Sequence, residues 1–296
     1  MLYRTFYANK SEDDATIGGL AHHMALTTLN KYYRDFKPDK IIMCCDRTSW
    51  RKEYTLSEAA ITKKVYKGGR RQNMTKKEEE KFQKFVAHIR EFEDLIDMNT
   101  SIITLAGDGL EADDLMAGVC QIISRNVEDE IVLVSADKDM IQLLQYPNVR
   151  VIDPATGDDR TLDKWNGDAN LFLFEKCVRG EPKTGDNIQS AFPRCKTTRI
   201  MRAWEDDFER ANFMNTTWSD PEGTEYIVRQ LFQENELLMD LSKQPDHIQK
   251  DIFTTVLRGL ANPGTFSYFK FMGFLGKYEM KTLAKSADNF VELLSR

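Results

Sequence analysis

The sequence predicts an α/β protein built on a doubly wound, mostly parallel β-sheet, followed by a helical C-terminal region. Three observations lead to this prediction. Four short and almost uninterrupted apolar runs are typical of strands that are covered on both faces. Segments long enough for crossover helices lie between these runs. Beyond about residue 153 the strand-like runs end, and the remaining sequence is typical of helices joined by polar loops.

The order of the elements follows from these runs. The predicted strands are KIIMCCD, SIITLAG, EIVLVSAD and VRVID, at residues 40–46, 101–107, 130–137 and 149–153. Helices are predicted over residues 16–33, 76–97 and 113–125. The turn-forming stretch DPATGDDRTLDKWNGD marks a soft boundary near residue 160. We therefore expect an α/β core over residues 1–160 and a helical region over 161–296.

Composition excludes several classes of protein. The net charge of −6 gives the whole molecule no general attraction for nucleic acid or anionic membranes, so any such binding must use a local patch. No apolar run reaches the roughly 18 residues of a membrane span. The five cysteines show no CxxC spacing and most lie in apolar stretches, which favours free, buried thiols over disulfides or a zinc site.

Acidic residues follow the ends of the predicted strands. They are Asp46, then Glu111, Asp113 and Asp114, then Asp137 and Asp139, with Glu181 and Asp186 in the later stretch RGEPKTGDNI. Sites in open α/β sheets form beyond the carboxyl ends of the strands, so acids far apart in sequence can line one pocket. Each acid alone is more typical of a turn or a helix start. Their repetition at successive strand ends favours a shared metal site.

The chemistry of these acids indicates the kind of metal. Carboxylates that share a small site repel one another unless a cation compensates them. Their oxygens suit hard ions such as Mg²⁺ or Mn²⁺, and none of the four histidines lies in these stretches, which argues against a zinc hydrolase. An acid cluster without histidine is compatible with phosphodiester hydrolysis by two ions about 4 Å apart.

A basic segment contrasts with the acidic remainder of the chain. Residues 59–77, AAITKKVYKGGRRQNMTKK, contain no acid and include Lys63, Lys64, Lys67, Arg70 and Arg71. The segment closely follows Asp46, so we expect it near the acidic pocket, where it would contact phosphate. The alternative interpretation is a solvated helix face.

Five motifs together resemble the flap endonuclease and 5′-nuclease superfamily, in particular its phage exonuclease and ribonuclease H branch. They are CDRTSWRKEY, VYKGGR, GLEADDLMA, VSADKDMIQL and the weaker RGEPKTGDNI, in the family's order. The resemblance covers residues 1 to about 190 and implies a PIN-like 5′-nuclease core. It also implies that the basic segment, at about residues 55–90, forms a helical arch.

The resemblance implies a role for each acid and for two basic residues. Asp46, Glu111 and Asp113 correspond to ligands of a first metal ion, with Asp114 adjacent, and Asp137, Asp139 and Asp186 correspond to ligands of a second. Lys67 and Arg70 correspond to the basic pair that contacts the scissile phosphate. Further contacts with nucleic acid are expected from Arg51, Lys63, Lys64, Arg71, Lys196 and Arg199.

Three departures from the family pattern affect these expectations. The family's first strand and its metal-binding aspartate would precede MLYRTFYA, so the chain resembles an N-terminally truncated member whose LYRTFYA segment begins a helix. Glu181 stands where the family has an aspartate, in a loop two residues longer. AFPRCKTTRIMRAW replaces the glycine-rich turn that grips duplex backbone, which leaves Lys196 and Arg199 as candidate phosphate contacts.

The implied function is a structure-selective 5′-nuclease that uses two Mg²⁺ ions, for which Mn²⁺ can substitute. Its substrates would be DNA or an RNA–DNA hybrid with a 5′ end or flap, and it would remove primers or flaps during replication. We expect a monomer in the cytoplasm, which would be the cytoplasm of the host if a phage encodes the protein. Its expected partners include replication proteins such as a single-strand-binding protein. The main alternative is a catalytically impaired module of the same fold that binds branched DNA. A small-molecule phosphatase is disfavoured, because it has no need of the basic segment.

Overall fold

The computed structural model describes residues 14–69, 74–182 and 186–296, and the side chains of all of these except residues 14 and 15. The LYRTFYA segment, Arg70 and Arg71 lie outside the described residues.

The elements alternate between helix and strand in the first half of the chain. In chain order they are α1 Asp14–Phe36, β1 Ile42–Cys44, α2 Trp50–Leu56, α3 Lys76–Asn99, β2 Ile103–Leu105, α4 Ala112–Ile123, β3 Ile131–Val134, a 3₁₀ helix Lys138–Gln145 and β4 Val149–Ile152. The second half contains a 3₁₀ helix Asp163–Trp165, α5 Ala169–Arg179, α6 Thr197–Glu205, α7 Asp207–Met214, β5 Thr217–Ser219, β6 Glu225–Ile227, α8 Val228–Met239, α9 Asp246–Ala261, α10 Tyr268–Lys277, α11 Lys281–Lys285, a 3₁₀ helix Ala287–Phe290 and α12 Val291–Ser295.

The strands of the first half pair in parallel. Ile42 of β1 lies opposite Ile103 of β2, and Ile131 of β3 lies opposite Val149 of β4. All four strands fall inside the apolar runs from which they were predicted. The predicted α/β class with mostly parallel strands is confirmed.

The chain divides into two compact units, each assembled from separated stretches. Of the described residues, the first unit contains 14–45, 74–106 and 255–296, and the second contains 46–69 and 107–254 without 183–185. Both units therefore include residues from either side of position 160. The predicted boundary near residue 160 separates a strand-containing part of the sequence from a more helical part. The two domains predicted on either side of it remain a prediction.

The core of the first unit joins α1 and α3 to the C-terminal helices. Helix α3 begins with a capping box, in which the Glu78 carboxylate accepts from the Thr75 backbone N–H at 2.9 Å and the Thr75 hydroxyl oxygen accepts from the Glu78 N–H at 3.3 Å. Its apolar positions recur at helical spacing and are buried: Phe82, Phe85, Ile89, Phe92 and Ile96. Gly259 of α9 allows a close approach to β2, since an added Cβ would lie 2.3 Å from Leu105 Cδ2.

A histidine is buried in this core. His22 stacks on Phe92, with ring centroids 5.5 Å apart, and meets Tyr278 edge-on at 4.3 Å. Its Nε2 lies 2.8 Å from the carbonyl oxygen of His88, which makes Nε2 the protonated nitrogen. Its Nδ1 has no hydrogen-bond partner among the described residues. Burial lowers the pKa of His22 from 6.5 to about 4.

The second unit contains the parallel pair β3–β4 and a largely helical part. Helix α4 and the 3₁₀ helix at Lys138–Gln145 pack on β3 and β4 through Ala117, Cys120, Leu133, Met140 and Val151. Helices α5 to α8 share a separate apolar cluster that includes Phe174, Val178, Ile200, Phe213 and Leu231. All five cysteines are free thiols, as predicted, although Cys44 and Cys195 are only half-buried.

Two features of the second unit differ from the sequence-based expectation. The region predicted to be helical contains an antiparallel hairpin, in which Trp218 of β5 lies opposite Tyr226 of β6. Of the expected helical arch at about residues 55–90, residues 57–69 contain turns and irregular backbone, whereas residues 76–90 belong to helix α3 of the first unit. Among the described helices, none has the length and apolar character needed to cross a membrane.

Candidate active site

Three acids meet at the first turn of α4 in the second unit. Glu111 is the N-cap residue of the helix, and Asp113 and Asp114 lie in its first turn. Oxygen atoms of the three carboxylates all lie within 4.8 Å of one another. The positive end of the helix dipole favours negative charge at this point, but three carboxylates so close together also repel one another. The site therefore requires cations.

Arg51 supplies a buried counter-ion from α2. Its guanidinium donates to both carboxylate oxygens of Asp114, at 2.7 and 2.9 Å, and to Glu111 at 3.1 Å. Its Nε donates to the carbonyl oxygen of Leu238 at 2.7 Å. Only 1% of Arg51 is exposed. The predicted contact between Arg51 and nucleic acid is therefore corrected: this side chain lies inside the protein and fixes the acids.

Asp114 is bound on several sides. Besides Arg51, it accepts from the Glu111 backbone N–H and from Gln244 Nε2, both at 3.2 Å. It is fully buried. The adjacent Asp113 is half-buried, and among the described residues its Oδ1 accepts a hydrogen bond only from the Asp114 N–H, at 2.8 Å. Of the three acids, Asp113 thus has the most carboxylate lone pairs left for a metal ion.

Glu111 is shared between Ser49 and Lys67. The Ser49 hydroxyl donates to Glu111 Oε2 at 2.5 Å, and the Lys67 ammonium forms a short ion pair with Oε1. Burial favours a raised pKa for the Glu111 carboxyl, but the charges of Lys67 and Arg51 outweigh it, so the pKa is lowered. Burial, and then the neighbouring acids, raise the pKa of Asp113 well above its usual range, although Arg51 opposes this. A divalent ion would favour the charged form of Asp113.

Asp46 also lies at this end of α4. It follows β1, and its Oδ1 accepts from the backbone N–H of Ala112, the first residue of α4, at 2.9 Å. Its side chain is exposed. The structure thus brings Asp46 beside the Glu111 group, as the positions of the strand ends predicted. The donor set consists of carboxylate oxygens alone, which fits a hard divalent ion.

The segment that carries Lys67, residues 57–69, is here called the strap. Its backbone N–H groups are bound by side chains and loops instead of by a helical ladder: Ile61 and Thr62 donate to Glu234 at 2.6 and 3.3 Å, Tyr66 donates to the Thr55 hydroxyl at 2.9 Å, and Lys67 donates to the Asp186 carbonyl oxygen at 3.0 Å. The Tyr66 ring is buried against Cys177, Ile188 and Leu238. These contacts fix the position of Lys67, whose φ of 53° is left-handed.

The other predicted acids lie around α5. Asp137 is the exposed N-cap residue of the 3₁₀ helix Lys138–Gln145 and accepts from the Asp139 N–H at 3.0 Å. Asp139 forms a short ion pair with Lys176 of α5, and Lys176 also contacts Glu181 at 2.7 Å. Burial raises the pKa of Asp139 to about 6, although Lys176 opposes the shift. Among the described residues, these acids do not form a second group as close as the one at Glu111.

The loop after α5 connects the two sets of acids. Gly180 has a φ of 59°, and an added Cβ would lie 2.5 Å from the carbonyl oxygen of Gln189, so the turn requires glycine. Glu181 N–H donates to the Ile188 carbonyl oxygen at 2.9 Å. The same loop presents the Asp186 carbonyl oxygen to the strap. Asp186 is thereby close enough to Lys67 for its charge to contribute to the raised pKa of that ammonium.

The remaining predicted nucleic-acid contacts occupy two surfaces of the second unit. On the strap, Lys63 donates to the Glu58 carbonyl oxygen at 3.1 Å and Lys64 pairs with Gln189. Lys196 is the N-cap residue of α6, and Arg199 of the same helix lies over the Phe192 ring, 4.5 Å from its centroid. Contacts of these residues with nucleic acid remain predictions.

Three residues that shape the site were not found from the sequence. Ser49 lies inside the CDRTSWRKEY motif, so its position offered a signal. Lys176 and Glu234 lie in helices whose composition indicates only a mixture of buried and exposed positions. Their contacts join residues that are 37 and 173 positions apart, which no local pattern shows.

Comparison with known proteins identifies the family of this chain. Residues 1–169 match the family described as 5′-3′ exonuclease, N-terminal resolvase-like domain. The chain belongs to this family. The resemblance to the 5′-3′ exonuclease and flap endonuclease superfamily that the motifs indicated is confirmed. A comparison with curated proteins gives no match.

Two solved structures share the fold of this 5′-3′ exonuclease family member. One is the T5 D15 protein co-crystallized with metal ions, with a TM-score of 0.62 and 18% identity over 87% of this chain and 95% of that chain. The other is T5 5′-exonuclease with bound divalent zinc ions, with a TM-score of 0.61, 18% identity and the same coverage.

Proposed function

We propose that this protein is a structure-selective 5′-nuclease that needs two Mg²⁺ ions and hydrolyses phosphodiester bonds in DNA, or in the RNA of an RNA–DNA hybrid, near a 5′ end or flap. Membership of the 5′-3′ exonuclease family supports the reaction class. The approach of Glu111, Asp113 and Asp114 to within 4.8 Å of one another is the observation that carries the metal dependence. Mn²⁺ would substitute for Mg²⁺, because both are hard ions with oxygen ligands.

The proposed ligand sets follow the arrangement of the acids. Asp46, Glu111 and Asp113, with Asp114 adjacent, would hold one ion, and Asp137, Asp139 and Asp186 would hold the other. When bound, the ions would activate a water molecule and stabilise the leaving oxygen. Arg51 would keep Asp114 and Glu111 in place before and during the reaction, since its buried guanidinium donates hydrogen bonds to both carboxylates.

Lys67 would act on the scissile phosphate. Its side chain is 27% exposed, so the ammonium can reach a substrate while the strap fixes its backbone. Burial favours a lowered pKa for Lys67, but Glu111 outweighs this and raises the pKa, so the ammonium stays charged at neutral pH. A fixed positive charge at the phosphate would stabilise the negative charge that develops in the transition state. Arg70, its proposed partner, lies outside the described residues.

The test is cleavage of a 5′-labelled flap substrate and of a labelled RNA–DNA hybrid, in Mg²⁺, in Mn²⁺ and in EDTA. We expect cleavage only with a divalent ion, and at least a hundredfold slower cleavage by Asp113→Asn. Asp207→Asn is the matched control, because the Asp207 side chain is fully exposed at the start of α7. Full activity of the Asp113 variant would contradict the proposed metal site.

The same experiment addresses the alternative of a module that binds branched DNA without cutting it. Tight binding of the flap by the wild-type protein, with no cleavage in either metal, would favour that alternative. Primer or flap removal in replication, and an interaction with a single-strand-binding protein, follow from the proposed activity. A pull-down with the host or phage single-strand-binding protein tests the interaction.

A further inference from the structure

A lysine occupies the second group of acids. The Lys176 ammonium lies between Asp139 and Glu181, with a short ion pair to the first and a distance of 2.7 Å to the second. Its side chain is 9% exposed, whereas those of its two partners are each 23% exposed. Two carboxylates from different elements, the 3₁₀ helix at Lys138–Gln145 and the loop after α5, thus share one cation.

The helix that carries this lysine is held by contacts at its start and beside the lysine. Helix α5 is anchored at its start by Asp168, which accepts from the Asn170 N–H at 2.8 Å, and Glu175 next to the lysine is bound by Trp165 and Arg179, both at 2.7 Å. A lysine side chain has four rotatable bonds, so its ammonium can move to another position by a change of rotamer. Helix α5 therefore stays in place if the ammonium moves.

A divalent ion and this ammonium would compete for the same oxygen atoms. Asp139 Oδ1 accepts a hydrogen bond from Lys176, so an ion bound at that oxygen would lie beside the ammonium. The positive charge of a retained ammonium would also repel the ion through a partly buried, weakly screened region. Removal of Lys176 would take away a positive charge beside Asp139 and Glu181, and a divalent ion would replace that charge.

We propose that Lys176 is the resident counter-ion of Asp139 and Glu181, which a divalent ion must displace, and that Lys176 thereby lowers the affinity of the second site for metal. This inference rests on the proposed function, in which Asp139 is a metal ligand. Lys176 is a positioning residue in this account, because it holds the two acids in the ion-free protein and does not touch substrate.

The experiment measures Mn²⁺ binding by calorimetry and thermal melting in EDTA and in Mn²⁺. It uses the full chain at pH 8.5, where protons compete less with the metal for the acids. The variants are Lys176→Met, which removes the charge and keeps the length, and Lys176→Arg, which keeps the charge. Lys164→Met is the matched control, because the Lys164 side chain is 71% exposed in the same unit.

We expect Lys176→Met to bind one Mn²⁺ about tenfold more tightly than wild type and to melt at a lower temperature in EDTA. Mn²⁺ should raise the melting temperature of this variant more than that of wild type. Lys176→Arg and Lys164→Met should bind Mn²⁺ like wild type. Unchanged or weaker Mn²⁺ binding by a folded Lys176→Met variant would overturn the inference.

If Lys176→Met does not fold in EDTA, the comparison of Glu181→Gln with Lys176→Met/Glu181→Gln decides the question, since the double variant keeps the net charge of wild type. The double variant should bind Mn²⁺ more tightly, and equal affinities would overturn the inference.

Asp139→Asn separates this inference from the proposed function. If Asp139→Asn loses one of the bound Mn²⁺ ions while Lys176→Met binds like wild type, Asp139 is a ligand and only the role of Lys176 is wrong. If Asp139→Asn binds as many ions as wild type with the same affinity, the proposed ligand set itself is wrong.

Discussion

The buried guanidinium of Arg51 provides a sharp test of what stabilises the second unit. Arg51→Met would remove two hydrogen bonds to Asp114, one to Glu111 and one to the Leu238 carbonyl oxygen. Asp114 would remain fully buried, with Gln244 and the Glu111 N–H as its remaining donors. A buried carboxylate that loses its counter-ion either stays charged at high cost or binds a proton, and both outcomes destabilise the native state.

The magnitude follows from the burial of the pair. Breaking a buried ion pair by removing one partner costs about 3–5 kcal/mol of unfolding free energy. At roughly 2–4 °C per kcal/mol for a large domain, the melting temperature should fall by about 10 °C. Arg150→Met is the matched control, because Arg150 also pairs with two acids, Asp159 and Glu130, but is 44% exposed. An exposed pair of this kind contributes about 0–1 kcal/mol.

The assay is chemical denaturation in EDTA, followed by circular dichroism, with Arg51→Met, Arg150→Met and the double variant Arg51→Met/Asp114→Leu. Replacement of both partners by apolar residues of similar size removes the unpaired charge, so the double variant should recover about 2 kcal/mol relative to Arg51→Met. The reasoning is refuted if Arg51→Met loses no more stability than Arg150→Met. It is also refuted if the second substitution lowers the stability further.

Three further predictions concern other parts of the chain. The pKa of His22 is about 4 in the folded protein and near 6.5 in the unfolded chain, so the stability that neutral His22 contributes is present above pH 6.5 and is lost as the pH falls toward 4, by up to about 3 kcal/mol. His22→Gln should reduce this loss of stability in thermal melts between pH 7.5 and 4.5, whereas His23→Gln, at the half-exposed neighbour, should not. Glu234→Gln should cost about 1–2 kcal/mol of unfolding free energy, because the Ile61 and Thr62 N–H groups lose a charged acceptor, and limited proteolysis should cut the strap faster. Equal proteolysis rates would disprove the anchoring role. Lys67→Ala should lower the single-turnover cleavage rate more than it lowers the affinity for substrate, and Lys64→Ala should lower both the rate and the affinity less than Lys67→Ala does. A large loss of affinity with an unchanged rate would make Lys67 a docking residue.

The strands and the acid positions could be predicted because their signals are local. An apolar run that ends in Asp46 contains both the strand and the acid in seven consecutive residues. The start of α3 is equally local, since Thr75 and Glu78 form its capping box. The first turn of α4 was predicted both as a helix start and as an acid group, and the structure has both there.

The hairpin of β5 and β6 was missed although a signal exists. Its strands have only three residues each and are mostly exposed, so they lack the apolar runs by which the other strands were predicted. The turn DPEG between them ends in Gly223 with a φ of 88°. Trp218 and Tyr226 flank this turn symmetrically, and their rings lie 5.0 Å apart. A turn signal with aromatic residues on either side would have predicted a hairpin.

The role of Arg51 could not be predicted, because a sequence shows charge but not the direction of a side chain. Arg51 lies in a stretch of alternating charge, yet its partners are 60 to 187 positions away. The conformation of the strap was missed for a related reason. Its N–H groups are satisfied by Glu234, Thr55 and the Asp186 carbonyl oxygen, contacts that exist only in the folded chain.

Within the described part of the chain, three cations contact the acids, and they differ in how easily a metal ion could replace them. Arg51 is planar, always charged and 2% exposed at its side chain, so it is held in place by its fixed donors. Lys67 and Lys176 end in flexible ammonium groups, and each meets an acid that the resemblance assigns to a different metal ion. Because these cations already compensate Glu111, Asp114 and Asp139, metal ions are not needed to hold those three acids in place. The fold should therefore persist in EDTA. Binding of the two ions should release the two lysines, one of them toward the phosphate that it is proposed to contact.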